Sequence, residues 1–403
     1  IFSTHISPFK VHQVTGQSQP QSWMHIPSRL HHHFIRASHC RVIFLAPAIL
    51  LIGEIVNIKQ GTQAVRELPA SRKKTGRMVL KRRLMAGLAL LLLAVAGACW
   101  WVWERNGAYG FNVLWRRGGS YWVNVETDDP RLSPAMRLAL TVPVPPATSG
   151  PMTWQEREKG FEVAELPVMA GGREVDRILL ARIDPAQYRF VVRNAPDGEK
   201  GIDEWERALP QALLIVNGSF FGLKGLPDTP FISEGTVMGP RRYKARSGAF
   251  VADSNGAGVR DLRDGNWQQA LDGASNAMVS YPLLIGDDGQ THVSADSRWL
   301  ANRSFVAQDR QGRIVVGTTK DAFFSLARLA LFLKESPLDL KVALNLDGGP
   351  LACQSVRLPG FDRKLYALWE SQVDGDQAKL LRWPFSDATW AMAVVLTVER
   401  KTD

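Results

Sequence analysis

The sequence predicts an α+β fold, a single mixed-sheet domain with few helices preceded by one N-terminal transmembrane helix. Three observations carry this. Short apolar and β-branched runs separated by turn residues recur from about residue 152 to the end of the chain. One long amphipathic helix, Ala322 to Lys334, feeds directly into the apolar run that begins at Val342. Leu84 to Trp103 are twenty residues without a charge, and Lys81, Arg82 and Arg83 stand before them.

Residues 1–77 lack sustained periodicity and read as a disordered leader or a non-native extension. The run Val42 to Gly53 is short for a bilayer span, and His31-His32-His33 sits among polar residues and prolines. Residues 78–103 read as a signal anchor. Twenty residues at helical rise match a hydrocarbon core of roughly 30 Å, and Trp100, Trp101 and Trp103 fall where an aromatic belt lies. A-G-A-C at 96–99 resembles a lipoprotein cleavage site, but the tryptophans that follow stand where a mature lipoprotein carries polar residues. The positive-inside rule then places the C-terminal part outside the cytoplasm. The expected location is a bacterial inner membrane crossed once, with that domain in the periplasm or outside the cell.

Residues 104–151 read as a juxtamembrane connector. Ser133-Pro134 opens a short helix, and V-P-V-P-P-A-T-S-G-P at 142–151 is a stiff spacer expected to hold the next domain off the bilayer. Residues 152–403 form the main domain. Strands are expected at Val175–Ile183, Gln187–Arg193, Ala212–Val216 and Gly248–Ala252, with a short helix at Ile202–Leu209. Hairpins are expected from Tyr281–Ile285 into Thr291–Val293 and from Ser304–Ala307 into Ile314–Thr318. Asp321 is the expected cap of the long helix.

Composition narrows the function classes. The formal net charge is +10, yet residues 1–83 alone carry 13 Lys/Arg against 2 Asp/Glu, so the remaining 320 residues sum to −1. No basic groove for nucleic acid is expected there. Of the eight histidines only His292 lies past residue 40, which leaves a Ser-His-Asp triad, a Cys-His pair or a multi-histidine zinc site without its imidazoles. Cys353 is the one cysteine beyond the apolar segment, so the main domain holds no internal disulfide.

Three stretches carry candidate chemistry. Asn217-Gly218-Ser219-Phe220-Phe221 follows an apolar strand. Asn217 offers a donor and an acceptor, Gly218 lets a ligand approach the backbone, and Phe220 with Phe221 provide an apolar wall for a sugar face. Taken alone these residues read more readily as a plain turn, and Ser219 lacks a nearby base to make it a nucleophile. Arg246-Ser247 and Arg303-Ser304 each open a β run, placing a planar cationic fork beside a hydroxyl, as a phosphate would require. Val342 to Gly349, V-A-L-N-L-D-G-G, is a buried strand that surfaces with Asn345, Asp347, Gly348 and Gly349; the two-residue period aims Asn345 and Asp347 at one spot. Glu234 reads as a turn residue and Cys353 as a small core residue.

Taken together, V-N-G-S-F-F at 216–221, A-R-S-G-A at 245–249, S-Y-P-L-L at 280–284, N-R-S-F at 302–305 and A-L-N-L-D-G-G at 343–349 resemble the phosphodiester glycosidase family, from about Gly160 to Val398. The family pattern continues D-G-G with Gly-Ser or Ser-Ser where Pro350-Leu351-Ala352 stands here, and has Gln where Val279 stands. The resemblance implies hydrolysis of the glycosidic bond of sugar-1-phosphodiesters in envelope glycans, with a sugar phosphate or glycan as partner. Asp347 and Asn217 become the expected catalytic residues. Arg246, Arg303, Ser304, Asn345, Gly348, Gly349, Gly218, Phe220 and Phe221 become the substrate contacts. Whether Asp347 acts directly or holds a divalent cation stays open; oxygen-rich ligands and the absence of histidine would suit Ca²⁺ or Mg²⁺. The alternative is a non-catalytic, membrane-tethered glycan-binding or envelope-assembly protein that keeps the fold.

Overall fold

The computed structural model describes residues 81–101, 122–129, 132–195, 200–222, 225–243, 247–263, 265–293, 295–367, 370–374, 377–381 and 390–401. The leader at 1–77, Trp103 and Arg246 lie outside them. Lys81–Trp101 is one exposed helix of 21 residues, long and apolar enough to cross a membrane.

From Trp122 onward the protein is built of sheet. The largest sheet has eight strands, in the order Leu283–Ile285, Leu340–Asn345, Ser304–Asp309, Ile314–Thr319, Arg173–Ile183, Phe161–Ala170 and Thr148–Ser149, with Gln155–Glu158 also paired to Phe161–Ala170. Alternation along its strands explains how it is buried on both faces. Val306, Val342 and Leu344 point into one apolar core, and Phe305, Ala307 and Ala343 into another. The first core is shared with two five-stranded sheets. One is ordered Phe361–Leu365, Gln354–Leu358, Leu214–Asn217, Val394–Arg400 and Tyr188–Asn194; the other Ala257–Asp261, Gly248–Ala252, Asn276–Ser280, Phe231–Ser233 and Thr236–Met238. A four-stranded sheet joins Trp122–Val125, Gln377–Leu381, Glu370–Asp374 and Leu300–Ala301.

The sheet-rich architecture with few helices is as expected. Every pairing between the described strands is antiparallel, so the parallel neighbours of a mixed sheet are absent among them. The long helix does join two parallel strands, Ile314–Thr319 and Leu340–Asn345, but Ser304–Asp309 lies between them and pairs antiparallel with each. The Ser304–Asp309 hairpin forms as expected, closed by Asp309, whose carboxylate accepts the N–H groups of Gln311 at 3.0 Å and Arg313 at 2.8 Å. The second expected hairpin shrinks to one bridge between Ile285 and Thr291.

Two expectations are corrected. The helix spans Leu326–Glu335 and is capped by Ser325, whose side chain accepts the Arg328 N–H; Ala322 sits at φ +55°, a left-handed conformation that a helix cannot contain, which removes Asp321 as the cap. The connector is not a spacer over its second half. Trp122–Val125 pairs with Ala378–Leu381, and Leu132, Ala135, Met136, Ala139 and Leu140 are buried in the same core as the long helix. Apolar residues on one face of Pro134–Ala139 are better accommodated against the sheet than in water.

Candidate active site

The site is assembled where three sheets end. Leu340–Asn345 of the large sheet runs out at Asn345, and Leu346 is still tied to it through the Ser304 carbonyl at 2.9 Å. The chain then changes partner. The Asp347 N–H donates to the Gly218 carbonyl at 2.9 Å, just past the end of Leu214–Asn217 in a different sheet. Because the strand ends before Asp347, the two-residue period does not bring Asn345 and Asp347 to one spot. The Asn345 Nδ2 turns to the Tyr281 carbonyl at 3.0 Å, whereas an Asp347 Oδ1 accepts the Gly348 N–H at 2.8 Å.

Asn217 is buried and clamps both ends of the turn that follows. Its Nδ2 donates to the Asp347 carbonyl at 2.6 Å and its Oδ1 accepts the Cys353 N–H at 3.2 Å. The carboxamide therefore positions the Asp347 backbone. Gly218 serves packing: a Cβ there would run into Val394, whose carbonyl accepts the Gly218 N–H at 2.8 Å.

Arg303 is buried, and its guanidinium is held by backbone carbonyls. Nη2 donates to Trp299 at 2.7 Å and Nε to Phe324 at 3.5 Å. Its Nη1 lies beside Gly348, where a Cβ would approach it to 3.2 Å. Two carboxyl groups lie in the field of this one cation. Burial, and then the neighbouring charge of Glu370, push Asp347 up to about 7 against the opposing effects of the Gly348 N–H and Arg303. Burial likewise raises Glu370, opposed by Arg303 and by the Trp299 indole N–H, which donates to it at 2.6 Å. Burial lowers Arg303 to about 10, which leaves it charged at neutral pH. Asp228, more exposed, adds a third negative charge to the field at Asp347.

The expected aromatic wall has a different composition. Phe220 stacks on Tyr281 with centroids 4.2 Å apart and planes 20° from parallel, while Phe221 packs against the core shared by the sheets. Ser304 is not at the site: it is fully buried, and its hydroxyl pairs with that of Thr318 at 2.9 Å across the hairpin. Gly349, at φ +65°, packs so closely on the Glu370 carboxylate that a Cβ would collide with it. Glu234 is a turn residue, as expected, ion-paired to Arg189 and Arg193. Cys353 is a buried free thiol, also as expected. His292 is bonded to Asp288 and Arg263, and Ser219 to Thr229. Among the described residues no three His, Cys, Asp or Glu side chains are grouped so that they could hold a metal ion.

The family model described as phosphodiester glycosidase matches residues 192–385, a span that contains Asn217, Asp228, Arg303, Asp347 and Glu370. This segment is similar to the phosphodiester glycosidase family. No curated protein matches the chain. Similar solved structures include a hypothetical protein from Synechocystis, at 17% identity and TM-score 0.41 over 62% of this chain and 64% of that one. They also include the catalytic domain of zebrafish N-acetylglucosamine-1-phosphodiester alpha-N-acetylglucosaminidase auto-inhibited by its pro-peptide, at 15% identity and TM-score 0.42 over 70% and 88%. A putative exported protein from Burkholderia pseudomallei K96243 aligns at 12% identity and TM-score 0.37 over 57% and 75%.

Within the matched segment, Glu370, Asp228, Trp299 and Tyr281 are not marked as site residues by any motif of the sequence. Glu370 enters from a hairpin of the four-stranded sheet, through pairing of Ser371 with Leu300. No local spacing marks such a residue; S-Y-P-L-L did contain Tyr281, and R-W-L-A-N-R-S places Trp299 four residues before Arg303.

Proposed function

We propose that the protein hydrolyses the glycosidic bond of sugar-1-phosphodiesters in envelope glycans, tethered to a bacterial inner membrane by the helix Lys81–Trp101 with its sheet domain outside the cytoplasm. The observation that carries this is the pair of half-buried carboxyls, Asp347 and Glu370, around one buried guanidinium within the segment that matches the family. A phosphodiester is a good leaving group, so protonating it is a lesser demand than for an ordinary glycoside. The remaining needs are a base near neutrality and a cation for the phosphate.

Asp347, raised to about 7, suits the base. It takes a proton from water as the water oxygen bonds to the anomeric carbon, and the carbon–oxygen bond to phosphate breaks with its electron pair leaving on the phosphate. Arg303 steadies that charge through Nη1, past Gly348. The Glu370 carboxylate raises the affinity of Asp347 for a proton. Phe220 stacked on Tyr281 provides the sugar face, and Arg246 is a further phosphate contact proposed from its sequence context.

The test is sugar release by the detergent-solubilised protein from a panel of sugar phosphodiesters, including UDP-N-acetylglucosamine, beside Asp347→Asn. Wild-type release and a variant slower by about 10²–10⁴-fold are expected. Glycan binding without release from any diester would instead establish the non-catalytic, glycan-binding protein. A C-terminal reporter that is active only outside the cytoplasm checks the orientation.

A further inference from the structure

Asp176 is a fully buried carboxylate on the opposite side of the strand Ile314–Thr319 from the hairpin strand that leads out of Arg303. It sits at a bulge. Val168 pairs with Asp176 but Met169 with Glu174, so Val175 is the extra residue, an irregularity that re-aims neighbouring side chains. Its carboxylate gathers four backbone donors. Oδ1 accepts from Arg177 at 2.7 Å, Lys320 at 3.0 Å and Asp321 at 2.8 Å, and Oδ2 from Phe323 at 3.1 Å. Burial raises it to about 6 against the pull of these N–H groups, so it is ionised at neutral pH.

The segment that Asp176 gathers holds the site from behind. The Thr319 hydroxyl accepts the Arg303 N–H at 2.9 Å, and the Thr319 N–H donates to the Arg303 carbonyl at 2.8 Å. The Asn302 side chain donates to the carbonyls of Thr319 at 3.0 Å and Lys320 at 2.8 Å, while the Asn302 carbonyl accepts the Gly349 N–H at 2.9 Å. The Phe324 carbonyl receives the Arg303 Nε. Between Lys320 and Phe324 the chain contains Ala322 at φ +55°, a conformation costing a non-glycine residue of order 1–3 kcal/mol, which persists only where the surroundings impose it.

We propose that Asp176 is a positioning residue for the site: by fixing residues 320–323 it sets where Arg303 and the Asp347–Gly349 turn sit. The inference rests on the function proposed above for its kinetic readout, but not for its structural one. A carboxylate buried merely to close a loop would need no partners that touch the site. Here each step from Asp176 to Gly349 is a hydrogen bond between buried or half-buried groups.

The experiment compares Asp176→Asn and Asp176→Ala with wild type in the full chain, measuring kcat, KM and amide hydrogen exchange. Asparagine keeps an acceptor for the three donors at Oδ1 but turns an N–H₂ on Phe323; alanine takes this acceptor from all four, and Lys320 keeps only its other one, the Arg177 carbonyl at 3.0 Å. Expected for Asp176→Asn is kcat reduced about 10- to 100-fold, as for a small misplacement of catalytic groups, with KM within about twofold. Exchange should quicken in 319–324 and in 347–350 but not in the hairpin 231–238. Alanine should deepen each effect. Unchanged exchange at 347–350, or an increase spread evenly over the domain, overturns the proposal, as does a change confined to KM. A wild type inactive on every diester refutes the proposed reaction instead, and the exchange comparison still decides the role of Asp176.

Discussion

Replacing Asp347 with Asn should slow sugar release by about 10²–10⁴-fold and make the protein more stable above neutral pH. The carboxyl sits at about 7 in the folded protein, against about 3.9 in an unfolded chain. Between those values the folded state binds more protons than the unfolded one, so the contribution of Asp347 to stability is fully present below about pH 4 and is lost as pH rises through 7. The difference corresponds to about 4 kcal/mol at pH 8. Asparagine keeps an oxygen for the Gly348 N–H and never ionises, so it escapes this loss. Net stabilisation at pH 8 is expected at about 2–4 kcal/mol, vanishing at pH 4. Urea denaturation of wild type and Asp347→Asn at both pH values measures it, and thermal midpoints at pH 8 should differ by about 5 °C or more. Equal pH dependence in the two proteins, or a variant less stable at pH 8, would refute the assignment of Asp347 as a carboxyl whose affinity for a proton is raised by burial and by Glu370.

Arg303→Met should destabilise the fold by about 3–5 kcal/mol, because Asp347 and Glu370 lose their shared cation; adding Glu370→Gln should recover part of the loss in the same denaturation assay. Gly349→Ala combines a left-handed φ with a collision at Glu370, so it should cost about 1–3 kcal/mol and lower kcat more than it raises KM. Starting the chain at residue 141 removes Leu132, Met136 and Leu140 from the core at about 1.5–3 kcal/mol each, and a lower thermal midpoint than that of a chain starting at 104 is expected.

What was legible in the sequence follows from the range of the interactions involved. Alternating apolar residues marked Arg173–Ile183, Gly248–Ala252 and the hairpin from Ser304, because a strand's period is local. D-G-G marked the centre, since a strand ending in a carboxylate and two glycines is unusual in a core. The helix cap was misplaced because Asp321 looked like a local cap, while its N–H is in fact taken by Asp176, 145 residues away in sequence. Ser304 looked like a phosphate ligand only until its cross-strand partner, Thr318, was known. Glu370 was out of reach for the same reason: it meets Arg303 and Asp347 through the packing of separate sheets.

The departure at Pro350-Leu351-Ala352 takes on a structural meaning. Gly349–Leu351 forms one 3₁₀ turn, with proline at a position whose N–H would find no partner within the turn, and the Ala352 N–H returns to the Gly349 carbonyl at 3.1 Å. Pro350 is buried, and Leu351 packs against the core formed by Ile202, Trp205 and Cys353. Asn217 grips the residues on either side of this turn, at the Asp347 carbonyl and the Cys353 N–H. Proline and the apolar packing of Leu351 therefore fix the turn by φ restriction and burial. The strand end at 342–349 thus places Asp347 through backbone held from three sides: Gly218 on its N–H, Asn217 on its carbonyl, and Asn302 on the glycine two residues later.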